Sequence, residues 1–335
     1  MHVVFWRFIV RSRERGAALV IVLLVVAIIA TLGVTSVDRI QYSIKERSDI
    51  SIKHQSFWYA VGLESKALDF LRERNFLKNI SSILISDEDM PTILVEIEGG
   101  KIEGSLRDLT TCFNVNSLVT ASSQNQLVVN QVGVNQFKSL LSAFNMDELM
   151  INKLTFSLVD WLDSNDFTEE ADGAEDEFYT RLDSPYRSAN QEIFNLNELI
   201  NIKNYDEEIL EIISPYLCAL PETGTNYINV NAINRNHPEI LVMLFGEGLS
   251  LSAAQRILSD RPLSGFKEKR ELLSHPELLN INMSNAALNN VKLDSSFYQL
   301  TVEVDNYDFP YLLRSYFEIL ESGKVKIYKR SIGTI

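Results

Sequence analysis

A short acidic segment in the middle of the chain holds the residues best suited to chemistry. Between residues 160 and 183 there are ten carboxylates and a single base, Arg181. Like charges at this density repel one another, and a hard cation bound by about six to eight oxygens relieves the repulsion. The spacing is not that of an EF-hand loop, and its irregularity suits Ca²⁺ better than the strictly octahedral Mg²⁺. A solvated acidic loop is the alternative reading.

Three residues in this segment, Trp161, Gly173 and Tyr179, indicate a structured turn rather than a flexible tail. We predict that the metal ligands are carboxylates of the segment. The candidates are Asp163, Asp166, Glu175 and Asp176, followed by Asp172 and Asp183.

The sequence lacks the motifs of common catalytic sites. HExxH, GxSxG and a phosphate-binding P-loop are absent. The four histidines are scattered, and His237 and His275 each precede a proline. No CxxC accompanies them, which disfavours zinc. We therefore expect no enzymatic activity.

The element that positions the chain as a whole is an uncharged run of 21 residues, 17–37. At 1.5 Å per residue it reaches about 30 Å, one hydrocarbon core. Residues 1–16 carry four arginines and one glutamate, a net charge of +3, so the positive-inside rule places them in the cytoplasm. The run is longer than the apolar region of a signal peptide, about 7–15 residues. We expect a single-pass membrane helix with the remaining chain outside the cytoplasm.

Charge argues against a nucleic-acid partner. The 335 residues carry a net charge of −14, and without the +3 of the first 16 residues the rest carries −17. Phosphate contacts need clustered bases. Residues 244–249 and 253–257 resemble a helix–hairpin–helix motif, but Glu247 lies in its loop, and we interpret the motif as a helical packing unit.

Cys112 and Cys218 are the only cysteines. Outside the cytoplasm an even pair favours a disulfide. Such a bond would close a loop of roughly a hundred residues and stabilise the fold by about 4–5 kcal/mol through chain entropy. Two free buried thiols are the alternative.

After the membrane segment, the sequence predicts strands, then a block of helices, then strands again. Residues 92–110 predict a β-hairpin around Gly99-Gly100, and residues 297–330 predict further strands. Between them the hydrophobic period is helical. Helices are predicted over residues 134–144, 146–162, 206–216, 238–245 and 251–259. A helical block flanked by strands on both sides indicates an insertion into an α+β head.

A weakly repeated motif occurs three times in the helical block, at residues 113–118, 194–199 and 228–233. Each copy contains Asn-x-Asn, and the second asparagine is Asn116, Asn197 or Asn231. Asparagine is a favoured helix N-cap because its side chain accepts a backbone N–H. We predict that these three residues cap helices.

The junction Arg15-Gly16-Ala17-Ala18-Leu19 resembles the cleavage site of type IV prepilin-like proteins. The resemblance implies that a prepilin peptidase cuts after Gly16 and leaves Ala17 as the mature N-terminus. It also implies one helix of about 55 residues, half in lipid and half packed on the head through a stripe formed by Ile50, Phe57, Val61, Leu68 and Leu71. Most pilins have Glu at the fifth mature position, where this chain has Ile21. In that class the carboxylate pairs with a neighbouring subunit's terminal amine, so Ile21 points to a tip subunit.

Four motifs make the resemblance more specific. They are Asp160-Trp161-Leu162-Asp163, residues 173–176 with Tyr179, residues 185–190, and residues 228–231. Together they resemble the K-type minor pseudopilin of type II secretion systems, over nearly the whole chain. The resemblance implies a tip subunit of the periplasmic pseudopilus that drives export of folded exoproteins. It also implies a bacterial inner-membrane anchor, I- and J-type minor pseudopilins as partners, and Ca²⁺ in the helical domain.

The predicted fold class is α+β, with a pilin-like N-terminal helix, an antiparallel sheet and a large all-helical insertion. The predicted parts are a leader (1–16), a transmembrane segment (17–37), the helix and first hairpin (38–111), the insertion (112–290) and C-terminal strands (291–335). Two other functions stay open at this point. One is a membrane-anchored periplasmic binding protein with a calcium-stabilised head, and the other is a pilin-like DNA-uptake receptor.

Overall fold

A single long helix begins the structure, a computed structural model that describes residues 15–73, 92–246, 248–307 and 309–333, with backbone only for 15–17. Helix α1, Arg15–Arg72, has 58 residues. Its part Ala18–Arg72 contains a window of mean hydropathy 3.0 and is apolar and long enough to cross a membrane. The continuous helix predicted from the sequence is therefore confirmed. Residues 1–14 of the predicted leader lie outside the described residues.

The head contains a five-stranded antiparallel sheet. In their order across the sheet, the strands are β1 Thr92–Ile97, β2 Gly100–Asp108, β9 Phe297–Asn306, β10 Tyr311–Ile319 and β11 Val325–Gly333. Both predicted β regions are confirmed. β2 pairs directly with β9, so that Asp108 lies opposite Tyr298. Residues 109–296 are thus inserted between two neighbouring strands.

Helix α1 packs on the sheet only through its last turns. Its buried residues Ser56, Ala60, Glu64 and Leu71 follow steps of four and seven, as expected for one helix face. The predicted stripe is wrong at its start, because Ile50 is exposed. The two polar members of the buried stripe have partners: Ser56 accepts from Asn306 Nδ2 at 3.3 Å, and Glu64 takes two hydrogen bonds from Arg330 at 2.7 and 2.8 Å.

The insertion is mainly helical. Its helices are α2 Gln131–Ala143, α3 Glu148–Leu162, α4 Asp176–Tyr179, α5 Glu207–Ile213, α6 Glu239–Phe245, α7 Leu251–Asp260, α8 Lys269–Leu273 and α9 Asn285–Asn290. The hairpin from α6 to α7 buries Ala253, Ala254, Ile257 and Leu258.

The prediction that the insertion is all-helical is wrong. It also contains three two-stranded ladders, formed by β3 Phe113–Asn114 with β6 Leu217–Cys218, β4 Val119–Ala121 with β5 Leu127–Val129, and β7 Ile228–Asn229 with β8 Val291–Lys292. Strands of two or three residues are too short to show alternation in a sequence. Because β8 pairs with β7, the insertion extends past the predicted end at residue 290.

The second asparagines do not cap helices as predicted: Asn114 and Asn195, the first asparagines of two copies, cap short 3-10 helices, and Asn229 begins a turn. Asn114, Asn195 and Asn229 each accept the backbone N–H two residues further on, at 3.2, 3.1 and 3.0 Å. This local turn leaves the second asparagine free to reach other segments.

In two copies the second asparagine holds a distant backbone segment. Asn116 accepts from Ile193 N at 2.8 Å and donates to Ile193 O and Leu220 O. Asn231 accepts from Phe266 N at 2.7 Å and donates to Phe266 O at 3.0 Å. Both are buried, whereas Asn197 of the middle copy is exposed.

The sheet and the insertion meet around a disulfide. Cys112 and Cys218 are bonded, with Cα atoms 5.7 Å apart, and pack with Leu109, Leu220 and Phe297.

Hydrogen bonds also join the two ends of the insertion. The Ser295 hydroxyl donates to the Asp108 carboxylate and accepts from Asn229 Nδ2 at 2.6 Å. The acidic side chain at the end of β2 thereby fastens the last residues of the insertion.

Candidate metal centre

The C-terminal end of helix α3 carries two buried carboxylates. Asp160 lies in the last turn and Asp163 is the C-cap, and both are fully buried. The dipole of a helix is negative at this end and disfavours an anion. Glu175, the residue before α4, is also buried beside them. We call Asp160, Asp163 and Glu175 the carboxylate cluster.

Burial raises the pKa of every member of the cluster, to about 6 for Asp160 and to about 7 for Asp163 and Glu175. Backbone N–H groups partly offset this effect at Asp160 and Asp163, and the Ser188 hydroxyl does so at Glu175. The negative charge of the neighbouring carboxylates raises each pKa further. Ionising the cluster therefore costs free energy unless a cation is present.

Each carboxylate uses one oxygen to hold the chain and leaves the other free. Asp160 Oδ1 accepts from Glu169 N at 3.0 Å, Asp163 Oδ1 from Asn165 N at 3.2 Å, and Glu175 Oε2 from Ser188 Oγ at 2.9 Å. The second oxygens are buried and have no hydrogen-bond donor among the described residues, and the same holds for one further oxygen. These atoms are Asp160 Oδ2, Asp163 Oδ2, Glu175 Oε1 and Asn190 Oδ1.

Buried acceptors without hydrogen-bond partners are rare in proteins, so these four oxygens call for an explanation. Carboxylate and amide oxygens are the donors that Ca²⁺ prefers, so the residues present fit that ion. Among the described residues, however, no three His, Cys, Asp or Glu side chains lie together in an arrangement that could hold a metal ion as the chain stands.

The loop after α3 folds tightly onto the cluster. A Cβ on Gly173 would lie 1.9 Å from Asp160 Oδ2, so any other residue here would displace that carboxylate. The Gly173 carbonyl accepts from Lys203 Nζ at 3.0 Å. The rings of Trp161 and Tyr179 meet edge-on at 5.2 Å and form an apolar wall next to the acids.

The structure separates the six predicted ligands. Asp163 and Glu175 belong to the buried cluster. Asp166 and Asp176 lie at its rim, where Asp166 accepts from Asn190 Nδ2 at 3.2 Å and Asp176 from Ser188 N at 3.0 Å.

Asp172 and Asp183 make no side-chain hydrogen bond to the described residues, and Asp183 is exposed. Asp160 was not among the predicted ligands, although its spacing of three residues from Asp163 on a helix places both carboxylates on one face.

The residues of this centre lie within a region that matches a known family. Two sequence profiles described as "Type II secretion system (T2SS), protein K" match residues 111–222 and 228–294, together more than half of the chain. The type II secretion system protein K of Pectobacterium carotovorum subsp. carotovorum is 28% identical, with 96% of this chain and 98% of the relative covered. That of Aeromonas hydrophila is also 28% identical, with the same coverage.

A solved structure shares the fold. The crystal structure of the GspK-GspI-GspJ complex from the type 2 secretion system of enterotoxigenic Escherichia coli contains a chain that is 21% identical. Its TM-score is 0.68, with 84% of this chain and 97% of that chain covered. The chain described here belongs to the protein K family of type II secretion systems and is one of their minor pseudopilins.

Proposed function

We propose that this minor pseudopilin occupies the tip of the pseudopilus and assembles with I- and J-type minor pseudopilins. Its helix α1 then lies in the bacterial inner membrane, with the N-terminus in the cytoplasm and the head in the periplasm. The solved complex of related proteins supports this partner set.

Ile21 is the observation that carries the tip position. It lies in the apolar part of α1 and is 60% exposed, and nothing in that part of the helix supplies a carboxylate to a preceding subunit. Residues 18–48 are all exposed, which is about 45 Å of helix. This length suffices to cross the bilayer and to pack against sister subunits.

Exposed apolar side chains on the head suit lateral partners. Trp58 on α1 is 66% exposed, and Ile93 and Leu94 on the edge strand β1 are 54% and 60% exposed. Large apolar side chains at an edge strand are typical of surfaces covered in an assembly.

We also propose that the carboxylate cluster binds one or more Ca²⁺ ions with a structural role. Asp160, Asp163 and Glu175 would supply charged oxygens, and Asn190 a neutral one. The bound ion would neutralise the repulsion among the acids and lock the loop to the end of α3. Support comes from the four buried oxygens without partners.

We propose that the protein acts through assembly and has neither enzymatic activity nor a nucleic-acid partner. The net charge of −14 and the absence of catalytic motifs from the sequence support this proposal.

Co-expression of the full chain with I- and J-type pseudopilins tests the assembly. We expect the three chains to co-purify from detergent-solubilised membranes, and Ile21→Glu to leave the complex intact while allowing the chain to enter positions below the tip. Trp58→Glu should weaken the complex, whereas Lys66→Glu, on an exposed position of the same helix, serves as the control. Failure of the three chains to co-purify would overturn the proposal.

Mass spectrometry that found an N-terminus other than Ala17 would refute the prepilin cleavage.

A further inference from the structure

Across the sheet, on the face turned away from α1, runs a row of polar side chains. Arg107, Gln299, Tyr316 and Lys329 are successive partners on β2, β9, β10 and β11. Arg314 lies two residues before Tyr316 on β10 and therefore shares its face.

A cavity of about 180 Å³ lies over this row, between the sheet and the insertion. Residues 194–197 and 217–219 of the insertion form its other walls. We call it the basic cavity, because three bases line it, Arg107, Arg314 and Lys329, and none of the described lining residues is an acid. In a chain with a net charge of −14, three bases facing one cavity without a carboxylate are unexpected.

The positive charges are held in place by neutral groups. Arg107 Nη2 donates to Pro215 O at 2.6 Å. The Lys329 ammonium donates to Phe194 O and lies 4.3 Å from the centre of the Tyr316 ring. Arg314 forms no ion pair with the described residues. Carbonyls and aromatic rings orient the cations without neutralising them, and burial lowers the pKa of both Arg107 and Lys329.

The two carboxylates that act on these bases from outside the lining are already engaged. Asp108 raises the pKa of Arg107 less than burial lowers it, and accepts from Thr110 N and the Ser295 hydroxyl. Glu198 accepts from Phe194 N at 3.2 Å and from Asn195 N at 2.9 Å, as part of a capping box. Its charge raises the pKa of Lys329, but less than burial lowers it. It therefore does not supply the counter-charge.

The middle copy of the asparagine repeat adds a neutral donor. In the other two copies the second asparagine binds backbone atoms of a distant segment. Asn197 lines the basic cavity instead, and its carboxamide has no hydrogen-bond partner among the described residues. Its amide group is available to a ligand.

We propose that the basic cavity binds a small oxyanion, a carboxylate or phosphate group, through Arg314 and Lys329 with Asn197 as a further donor. A guanidinium binds the two oxygens of such a group in a fork, and charge-assisted hydrogen bonds are about twice as strong as neutral ones. Anion binding here does not require the chain to occupy the tip of a pseudopilus, because the cavity lies on the other side of the sheet from α1.

Anion binding is measured with the full chain in detergent micelles, at constant ionic strength in chloride and at one calcium concentration. Line broadening of inorganic phosphate in ³¹P NMR gives the affinity, and displacement by acetate reports on carboxylates. We expect saturable phosphate binding that is weakened about tenfold or more by Arg314→Gln, the loss expected from removing one charge-assisted contact. Lys329→Met should act in the same direction.

Lys324→Gln is the matched control, because it removes one positive charge from the exposed turn between β10 and β11. It should leave the affinity unchanged. Displacement by acetate identifies a carboxylate as a ligand, and retention of phosphate in acetate restricts the site to phosphate-like anions. Absence of saturable binding of either anion refutes the proposal. So does equal binding by Arg314→Gln, with circular dichroism showing that the variant is folded.

Discussion

Replacing Asp163 by asparagine tests whether the Asp163 carboxylate needs a cation or only accepts a hydrogen bond. Asparagine keeps the oxygen that accepts from Asn165 N and removes the charge. The pKa of Asp163 is raised from 3.8 to about 7. About three pKa units correspond to roughly 4 kcal/mol of unfavourable free energy when the fully buried group ionises.

The direction of the pH dependence follows from that shift. In the unfolded chain Asp163 loses its proton near pH 4, whereas in the metal-free folded protein it keeps the proton until about pH 7. Between these values the native state binds more protons, so its stability is greatest below about pH 4 and falls as the pH rises through 7. Glu175, also with a pKa of about 7, adds to the same slope.

In EDTA at pH 8 we expect Asp163→Asn to stabilise the full chain by about 2–4 kcal/mol, and at pH 4 to have almost no effect. Calcium at about a hundred times its Kd should stabilise the wild type by about 3 kcal/mol and the variant much less. Urea unfolding in detergent, followed by the fluorescence of the buried Trp161, measures both effects. Asp183→Asn, at an exposed carboxylate of the same segment, is the control. A variant that is less stable than wild type in EDTA at pH 8 would contradict this reasoning.

Three further predictions concern the framework of the head. Replacing Cys112 and Cys218 by serine should lower the free energy of unfolding by about 4–5 kcal/mol, and dithiothreitol should destabilise only the wild type. Asn116→Ala should cost about 2–4 kcal/mol in urea unfolding, because it strips three buried hydrogen bonds, whereas Asn197→Ala should stay within about 0.5 kcal/mol. Burial raises the pKa of Glu64, but its bonds to Arg330 and Ser315 outweigh this and lower it from 4.5. Glu64→Gln should therefore lower the free energy of unfolding by about 1–3 kcal/mol at pH 7, a value kept small because Arg330 is exposed to solvent. The difference in stability between the variant and the wild type should vanish as the pH falls through the lowered pKa of Glu64.

Local patterns were sufficient to predict the large elements. The uncharged run predicted α1, and alternation around Gly99-Gly100 predicted the first hairpin. The acidic density between residues 160 and 183 located the carboxylate cluster. These features depend on neighbours within about ten residues, which a sequence displays directly.

Features that depend on distant contacts could not be predicted. The amide of Asn116 finds Ile193 and Leu220 only in the folded chain, so the repeat alone suggested a cap. The basic cavity requires the register of four strands that are far apart in sequence, from Arg107 to Lys329. Neither pattern has a local signature.

The insertion between β2 and β9 has a consequence for the order of folding. If residues 109–296 were unfolded, pairing Asp108 with Tyr298 would close a very long loop at an entropic cost of roughly 5 kcal/mol. A folded insertion, with its ends already joined through Asp108 and Ser295, removes most of that cost. We therefore expect the N-terminal hairpin to keep an unpaired edge until the central domain has folded. The last three strands to be made then close the sheet.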